Sequence, residues 1–383
     1  MTRNKLALSL SVVLVFAILV IAYAQDPFKD KLIPYKFLTT IEIPGGLVGF
    51  DISWVDSDAR RYYLADRGNP TVTPKVLPRI DVIDTKHLNF LFSIEGTPEA
   101  PFFAGPNGVV AIHGTDDKGH GRPSAGELWV GDADSTAKVV DLDNPFAIPF
   151  SISTGGTGRA DELAFDPRDE IILIANDRAA DLFVTFISTE SRMVLGKIHY
   201  DSTSEIKSTG GIEQPVWDGA KGKFYLAIPA TTDNLNGEVD EIDPNARVVN
   251  RRFPTTCGPA GLALIPGQRL MTSCGDVLDI ATGTVLHTVT PAVGGDEIWF
   301  NPGDERVYFG GFMRIKVPVV DALNYSLIDT LTVGVINTPP TPSHTTHSVA
   351  ADSALNRVFV PVSHEGVKVY TDDNDNGQGP PLK

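Results

Sequence analysis

The sequence predicts an all-β chain closed as a seven-bladed β-propeller, and three observations carry that prediction. One strand–turn–strand unit recurs seven times along the chain. The last copy lacks a final strand, which a surplus strand near the N-terminus can supply. After the first 24 residues no stretch keeps the 3.6-residue apolar period that a helix requires.

Each unit reads as a polar residue, a short apolar strand, a turn carrying Asp, Asn or Pro, and a second apolar strand. Its clearest copies are DELAFDPRDEIILIAND from Asp161, DEIWFNPGDERVYFGG from Asp296 and HSVAADSALNRVFVPVS from His347. The others begin at Asp51, Asn107, Glu213 and Ala260, so consecutive starts lie 36 to 56 residues apart. That spacing holds a four-stranded blade with loops of varied length. Third strands follow as RIDVID from Arg79, KVVDLD from Lys138, FVTFIS from Phe183, EVDEID from Glu238, PVVDAL from Pro318 and GVKVY from Gly366. Fourth strands follow a further turn, as in NFLFSIEG, RMVLGKIHY, TVLHTVT and YSLIDTLTV.

After Tyr370 the chain turns into the polar run DDNDNGQGPP, which leaves the seventh unit one strand short. The strand YKFLTTIEIPGG from Tyr35 precedes the first unit and has no partner there. Placing this N-terminal strand in the last blade completes the ring and accounts for both ends at once. The propeller is accordingly placed at residues 25–371, with 372–383 as a polar, disordered tail. A pair of β-sandwiches would fit the same length but explains neither the seven-fold recurrence nor the complementary ends.

Residues 1–24 begin with Arg3 and Lys5, run apolar from Leu6 to Ile21 and end in Ala22, Tyr23 and Ala24 before the polar Gln25. This is the order of a secretory signal peptide cleaved near Ala24. A retained membrane anchor is the alternative for an apolar run of that length. The expected product is secreted or periplasmic, with no stable membrane insertion after cleavage. The formal net charge is −16, and −18 without Arg3 and Lys5. So acidic a balance excludes nucleic acid as a partner, since phosphates call for Lys and Arg clusters, and it suits solubility or cation binding. Cys257 and Cys274 are the chain's two cysteines. In an oxidising compartment they predict a disulfide facing across the hairpin of Leu262–Leu264 and Arg269–Thr272, with two free thiols as the alternative.

The segments ILIANDRAA, ELWVGDADS and RVFVPVSHEG resemble the strand–turn–strand signature of the YVTN-type β-propeller repeat proteins, and the likeness extends over nearly all of the chain after residue 24. The literal YVTN tetrapeptide is absent, and the blades are longer than that family's short repeat. What the resemblance implies is an architecture more than an activity. The wider lactonase-like propellers are similar in their ring alone, and that likeness implies a divalent cation in the axial channel.

Aligning the seven units on their turns puts Asp51, Asn107, Asp161, Glu213, Ala260, Asp296 and His347 in one column at the start of the innermost strands. A ring gathers such a column around its axis. The next column holds Glu162, Gln214, Glu297 and Ser348. Asp51, Asn107, Asp161, Glu213 and Asp296 are the candidate metal ligands, since oxygen donors suit calcium or magnesium first and manganese or zinc after them. His347 and Glu297, left unligated, are the candidate catalytic residues, moving protons while the cation polarises a lactone or ester carbonyl. The alternative is that these polar groups merely cap strand ends and hold channel water.

Arg67 and Arg159 suit an anionic substrate unless they pair with nearby Asp66 and Asp161. His113, His344 and His364 fall on loops near blade ends, either lining the same mouth or simply exposed. No G-x-S-x-G elbow, H-E-x-x-H pair or Walker loop occurs. Two functions follow. One is a propeller that binds a small molecule, polymer or protein at one face of the ring. The other is a divalent-metal-dependent hydrolase or lyase of lactonase-like type, acting at the central channel. The loop TPPTPSHTT from Thr338 would serve the first as a plug or a binding lip.

Overall fold

A computed structural model describes residues 35–113, 124–177, 181–291, 293–311 and 313–372. The expected signal peptide, and all of the expected tail except Asp372, lie outside the described residues.

Local turn chemistry shapes each blade. An Asp or Asn ending the innermost strand accepts backbone N–H groups two or three positions further on. Asp56 does so from Asp58 (3.1 Å) and Ala59 (2.9 Å), Asp166 from Arg168 (2.8 Å) and Asn301 from Gly303 (3.0 Å). The chain then needs one left-handed residue to re-enter the sheet, with φ 57° at Arg60, 58° at Glu170, 57° at Glu305 and 51° at Asn356. The same device joins third strands to fourth, where Asp84, Asp243 and Asp321 each accept two backbone N–H groups. These carboxylates are the polar punctuation seen in the repeat.

Seven four-stranded antiparallel sheets result. From the inside outward, blade 1 is Gly49–Asp56, Arg61–Gly68, Arg79–Asp84 and Asn89–Ile94. Blade 2 is Pro106–Ile112, Glu127–Asp132, Thr136–Asp141 and Phe150–Ser153, and blade 3 is Ala160–Asp166, Ile171–Asn176, Phe183–Ser188 and Val194–His199. Blade 4 is Pro215–Asp218, Lys223–Ile228, Glu238–Asp243 and Val248–Pro254, and blade 5 is Leu262–Ile265, Arg269–Thr272, Asp276–Asp279 and Val285–Thr288. Blade 6 is Ile298–Asn301, Arg306–Phe309, Lys316–Asp321 and Leu327–Thr332. Blade 7 is Ala350–Asp352, Arg357–Val362 and Gly366–Thr371, with Lys36–Ile41 as its outer strand. The N-terminal strand runs antiparallel to Gly366–Thr371 and sets Ile41 opposite Val367. The innermost strands touch in cyclic order, and blade 1 meets both blade 2 and blade 7.

Neighbouring blades cover both faces of the second strands, so those strands are largely apolar instead of alternating. Ile171–Asn176 and Arg357–Val362 are buried along their whole length. Trp129, Ile172 and Ile174 fill the layer between blades 2 and 3, and Tyr225, Leu262 and Leu270 that between blades 4 and 5. Each such side chain contributes roughly 1.5–3 kcal/mol on burial. The outer strands face solvent on one side and carry a weaker signature; Val194–His199 has no buried residue. Among the described residues no helix is long and apolar enough to cross a membrane.

The sulfurs of Cys257 and Cys274 stand 2.13 Å apart, at disulfide distance. The expected hairpin forms between Leu262–Ile265 and Arg269–Thr272. Both cysteines nevertheless lie beyond its paired residues. Their contact ties the connection arriving from blade 4 to the turn before Asp276, where strand was expected to meet strand.

Candidate functional site

In blades 4 to 7 the strand ladder begins two or three residues after the aligned column, so those side chains stand on the approach to the innermost strand, at one mouth of the channel. Arg67, at the end of the second strand of blade 1, donates to Asp51 and to Asn107 Oδ1 (2.6 Å). Arg159 reaches Asp161 (2.7 Å) and Asp177 (2.8 Å) and lies 3.9 Å from Asp51. His347 Nε2 is 3.3 Å from Asp51 Oδ1, and its ring stacks on Phe50 with centroids 4.9 Å apart. Ligand-capable atoms of Asp51, Asp296 and His347 lie within 4.8 Å of one another, and so do those of Asp161, Asp177 and Glu213. The column thus converges as two clusters, to which Ala260 adds no ligand.

One expected partner is corrected, and His113 takes the exposed alternative. Arg67 pairs with Asp51, because Asp66 is taken by Arg79 (3.1 Å) on the adjacent strand. His113 leaves the far end of Pro106–Ile112, so it lies away from the acidic mouth and within 3.7 Å of both Asp56 and Asp58. His344 bonds to Glu365 (2.8 Å), with the His364 ring 6.1 Å away. The loop from Thr338 is closed on itself by reciprocal backbone bonds between Val335 and His344 (2.9 Å each). Asp177 was missed because it sits at the end of a second strand, outside the aligned column.

Five carboxyl groups therefore face two guanidinium groups and one imidazole. Burial favours the neutral carboxyl. It pushes Asp161 well up, with Asp51 adding to the effect. It takes Glu213 up to about 9, helped by Asp177 and Asp161. Asp296 is raised by burial, with His347 opposing. One layer deeper, burial takes Glu297 up to about 8, against hydrogen bonds from Ser348, Val349 and Ser53. A carboxyl raised in this way holds its proton more tightly folded than unfolded, so its stabilising effect is complete below the ordinary value of 4.5 and fades as pH rises to 8 or 9. In chelator-containing buffer the urea midpoint is expected to fall as pH rises over that window. Glu213→Gln should flatten its share of the slope.

The second column forms the next layer. Gln214 Oε1 accepts the N–H of Leu262 (2.7 Å), and Glu297 Oε2 accepts that of Val349 (3.2 Å) together with the Ser348 hydroxyl. Gly108 and Gly261 fill equivalent positions because a Cβ there would come within 2.6 Å of Asp161 O and 2.4 Å of Asp296 O. His347 and Glu297, the two residues expected to move protons, stand in successive layers, the second of them fully buried.

Past this layer the channel widens into a chamber of about 620 Å³. Trp54, Phe165, Trp217, Leu264, Trp299 and Phe300 line it, all of them partly exposed. Trp54 and Trp299 meet edge to face at 5.1 Å, and blade 7 between them offers only the small Ala350 and Ala351. The sequence carried the signal for this chamber in ISWV, AFDP, VWDG and IWFN, where an aromatic recurs three or four places after the column. Its meaning was hidden because a core aromatic and a channel aromatic look alike in a strand. No protein-family model matches the chain and no curated protein matches it, so its likeness to the YVTN-type propellers stands as a resemblance of its repeated units.

Proposed function

We propose that this chain is an exported propeller that binds a small organic molecule in its axial channel, entered from the aromatic end. The observation that carries this reading is the chamber itself. Its 620 Å³ falls in the usual range for small-molecule sites. Three of the chain's four tryptophans line it, an exposure of aromatic surface that a purely structural channel does not need. Export is supported by the order of residues 1–24 and by the cysteine pair. Titration with the neutral dye N-phenyl-1-naphthylamine should give saturable binding at one site with quenching of tryptophan emission. Trp299→Ala should weaken that binding about tenfold or more. Non-saturable uptake, or binding indifferent to Trp299→Ala, would remove the reading.

A second reading, a divalent-metal-dependent hydrolase or lyase, is favoured by the two clusters at the acidic mouth. Oxygen donors with one imidazole fit a hard or borderline cation, which would polarise a lactone or ester carbonyl. Arg67 and Arg159 already supply positive charge there, which is why ligand binding is preferred. Under the metal reading, protein purified without chelator carries about one divalent ion per chain, lost when Glu213 and Asp296 are both changed to Ala. Metal-free protein from such a preparation ends it.

A further inference from the structure

Of the three long polar side chains in the second layer of the channel, two make the same contact and the third does not. A side chain in one blade accepts the backbone N–H two positions past the column in the next blade, as Gln214 does from Leu262 (2.7 Å) and Glu297 from Val349 (3.2 Å). For Glu162 the equivalent position in the next blade is Pro215, which has no N–H to give. Glu162 Oε2 accordingly has no hydrogen-bond partner among the described residues, although the residue is only 4% exposed. It lines the aromatic chamber. Burial, with Asp161, Asp296, Glu297 and Glu213 adding to it, pushes its carboxyl well above the ordinary range.

A buried acceptor without a donor is costly, and nothing in the blade packing uses it. An apolar ligand would leave it orphaned, and an anionic one would further oppose its ionisation. A cation supplies the charge this buried carboxyl lacks and favours its ionised form against burial and its acidic neighbours. Aromatic faces add to the preference, since a cation over an indole or phenyl ring gains about 0.5–2 kcal/mol. We infer that the chamber takes an organic cation, an amine or quaternary ammonium on a hydrophobic body, with its charged end toward Glu162 and its body against Trp54, Trp217 and Trp299. This rests on the channel-binding reading above and adds the class of ligand.

The test compares benzyltrimethylammonium with its neutral carbon isostere neopentylbenzene, two probes of one shape that differ in charge, by tryptophan quenching of the chain beginning at Gln25. The cation is expected to bind at least tenfold more tightly. Glu162→Gln keeps the side-chain shape and should weaken the cation about tenfold while moving the isostere less than twofold. Pro215→Ala restores the missing N–H and should weaken the cation in the same direction, giving a second variant that leaves Glu162 itself in place. Equal or tighter binding of neopentylbenzene overturns the cation assignment and leaves the channel reading intact, as does cation binding that ignores Glu162→Gln. If neither probe binds and N-phenyl-1-naphthylamine does not bind either, the channel reading falls and this inference with it.

Discussion

A chain beginning at Pro44 is expected to lose at least about 5 kcal/mol of unfolding free energy relative to one beginning at Gln25, most of what a domain of ordinary stability possesses. The truncation removes Lys36–Ile41, the outer strand of blade 7, and leaves Gly366–Thr371 as a bare edge open to aggregation. It also strips Ile41 and Ile43, each 5% exposed, from the cluster that holds Phe50, Val367 and Val369. Losing two buried isoleucines costs roughly 2–5 kcal/mol apiece. Tyr35 is lost too. Its hydroxyl lies 2.7 Å from that of Tyr308 and accepts from Arg306 (2.6 Å), tying the start of the closing strand to blade 6. Urea unfolding followed by circular dichroism measures the difference. Equal midpoints for the two chains would mean that the N-terminal strand is not what closes the ring.

The second large effect is expected from Arg159→Met. That guanidinium faces Asp161, Asp177 and Asp51, and its own side chain is about one-quarter exposed. Removing one partner of a largely buried ionic group leaves uncompensated charge, at a cost of about 3–5 kcal/mol. The loss should be largest at pH 10, above the value of about 9 to which Glu213 is raised, where the acids are driven to ionise against one another, and smaller at pH 5, where Asp161 and Glu213, both raised, keep their protons. Parallel urea titrations of both proteins at the two pH values read this directly. A loss of equal size at both would show that Arg159 acts by packing and not by charge.

The repeat was legible because its two makers are local. Asp56, Asp166 and Asn301 write their turns within three residues, and second strands such as Ile171–Asn176 carry unbroken apolar runs since blades cover both faces. Convergence of Asp51, Asp161 and His347 could also be read, because equivalent positions in a closed ring share an axis. Partner choice could not. Whether Arg67 reaches Asp66 or Asp51 depends on which face of the strand it leaves and on Arg79 having already taken Asp66. The cysteines were rightly paired but wrongly placed, as bonding across a turn and bonding between a turn and an incoming loop have similar spacing in the chain. The chamber stayed hidden since Trp54 and Trp299 come from blades 1 and 6, and only the small residues of blade 7 let them meet.

By itself the sequence determined the number of blades, their turns and the exchange of a strand between the chain ends, for all of these follow from hydrogen bonding and burial within a single unit or from the count of units. Tertiary structure alone decided the chemistry. It divided the channel into an ionic mouth and an aromatic chamber, paired each arginine with its acids, and set Pro215 where Glu162 would otherwise have found a donor. The physical reason is distance. Interactions between blades join residues some fifty positions apart, and their geometry exists only once the ring has closed.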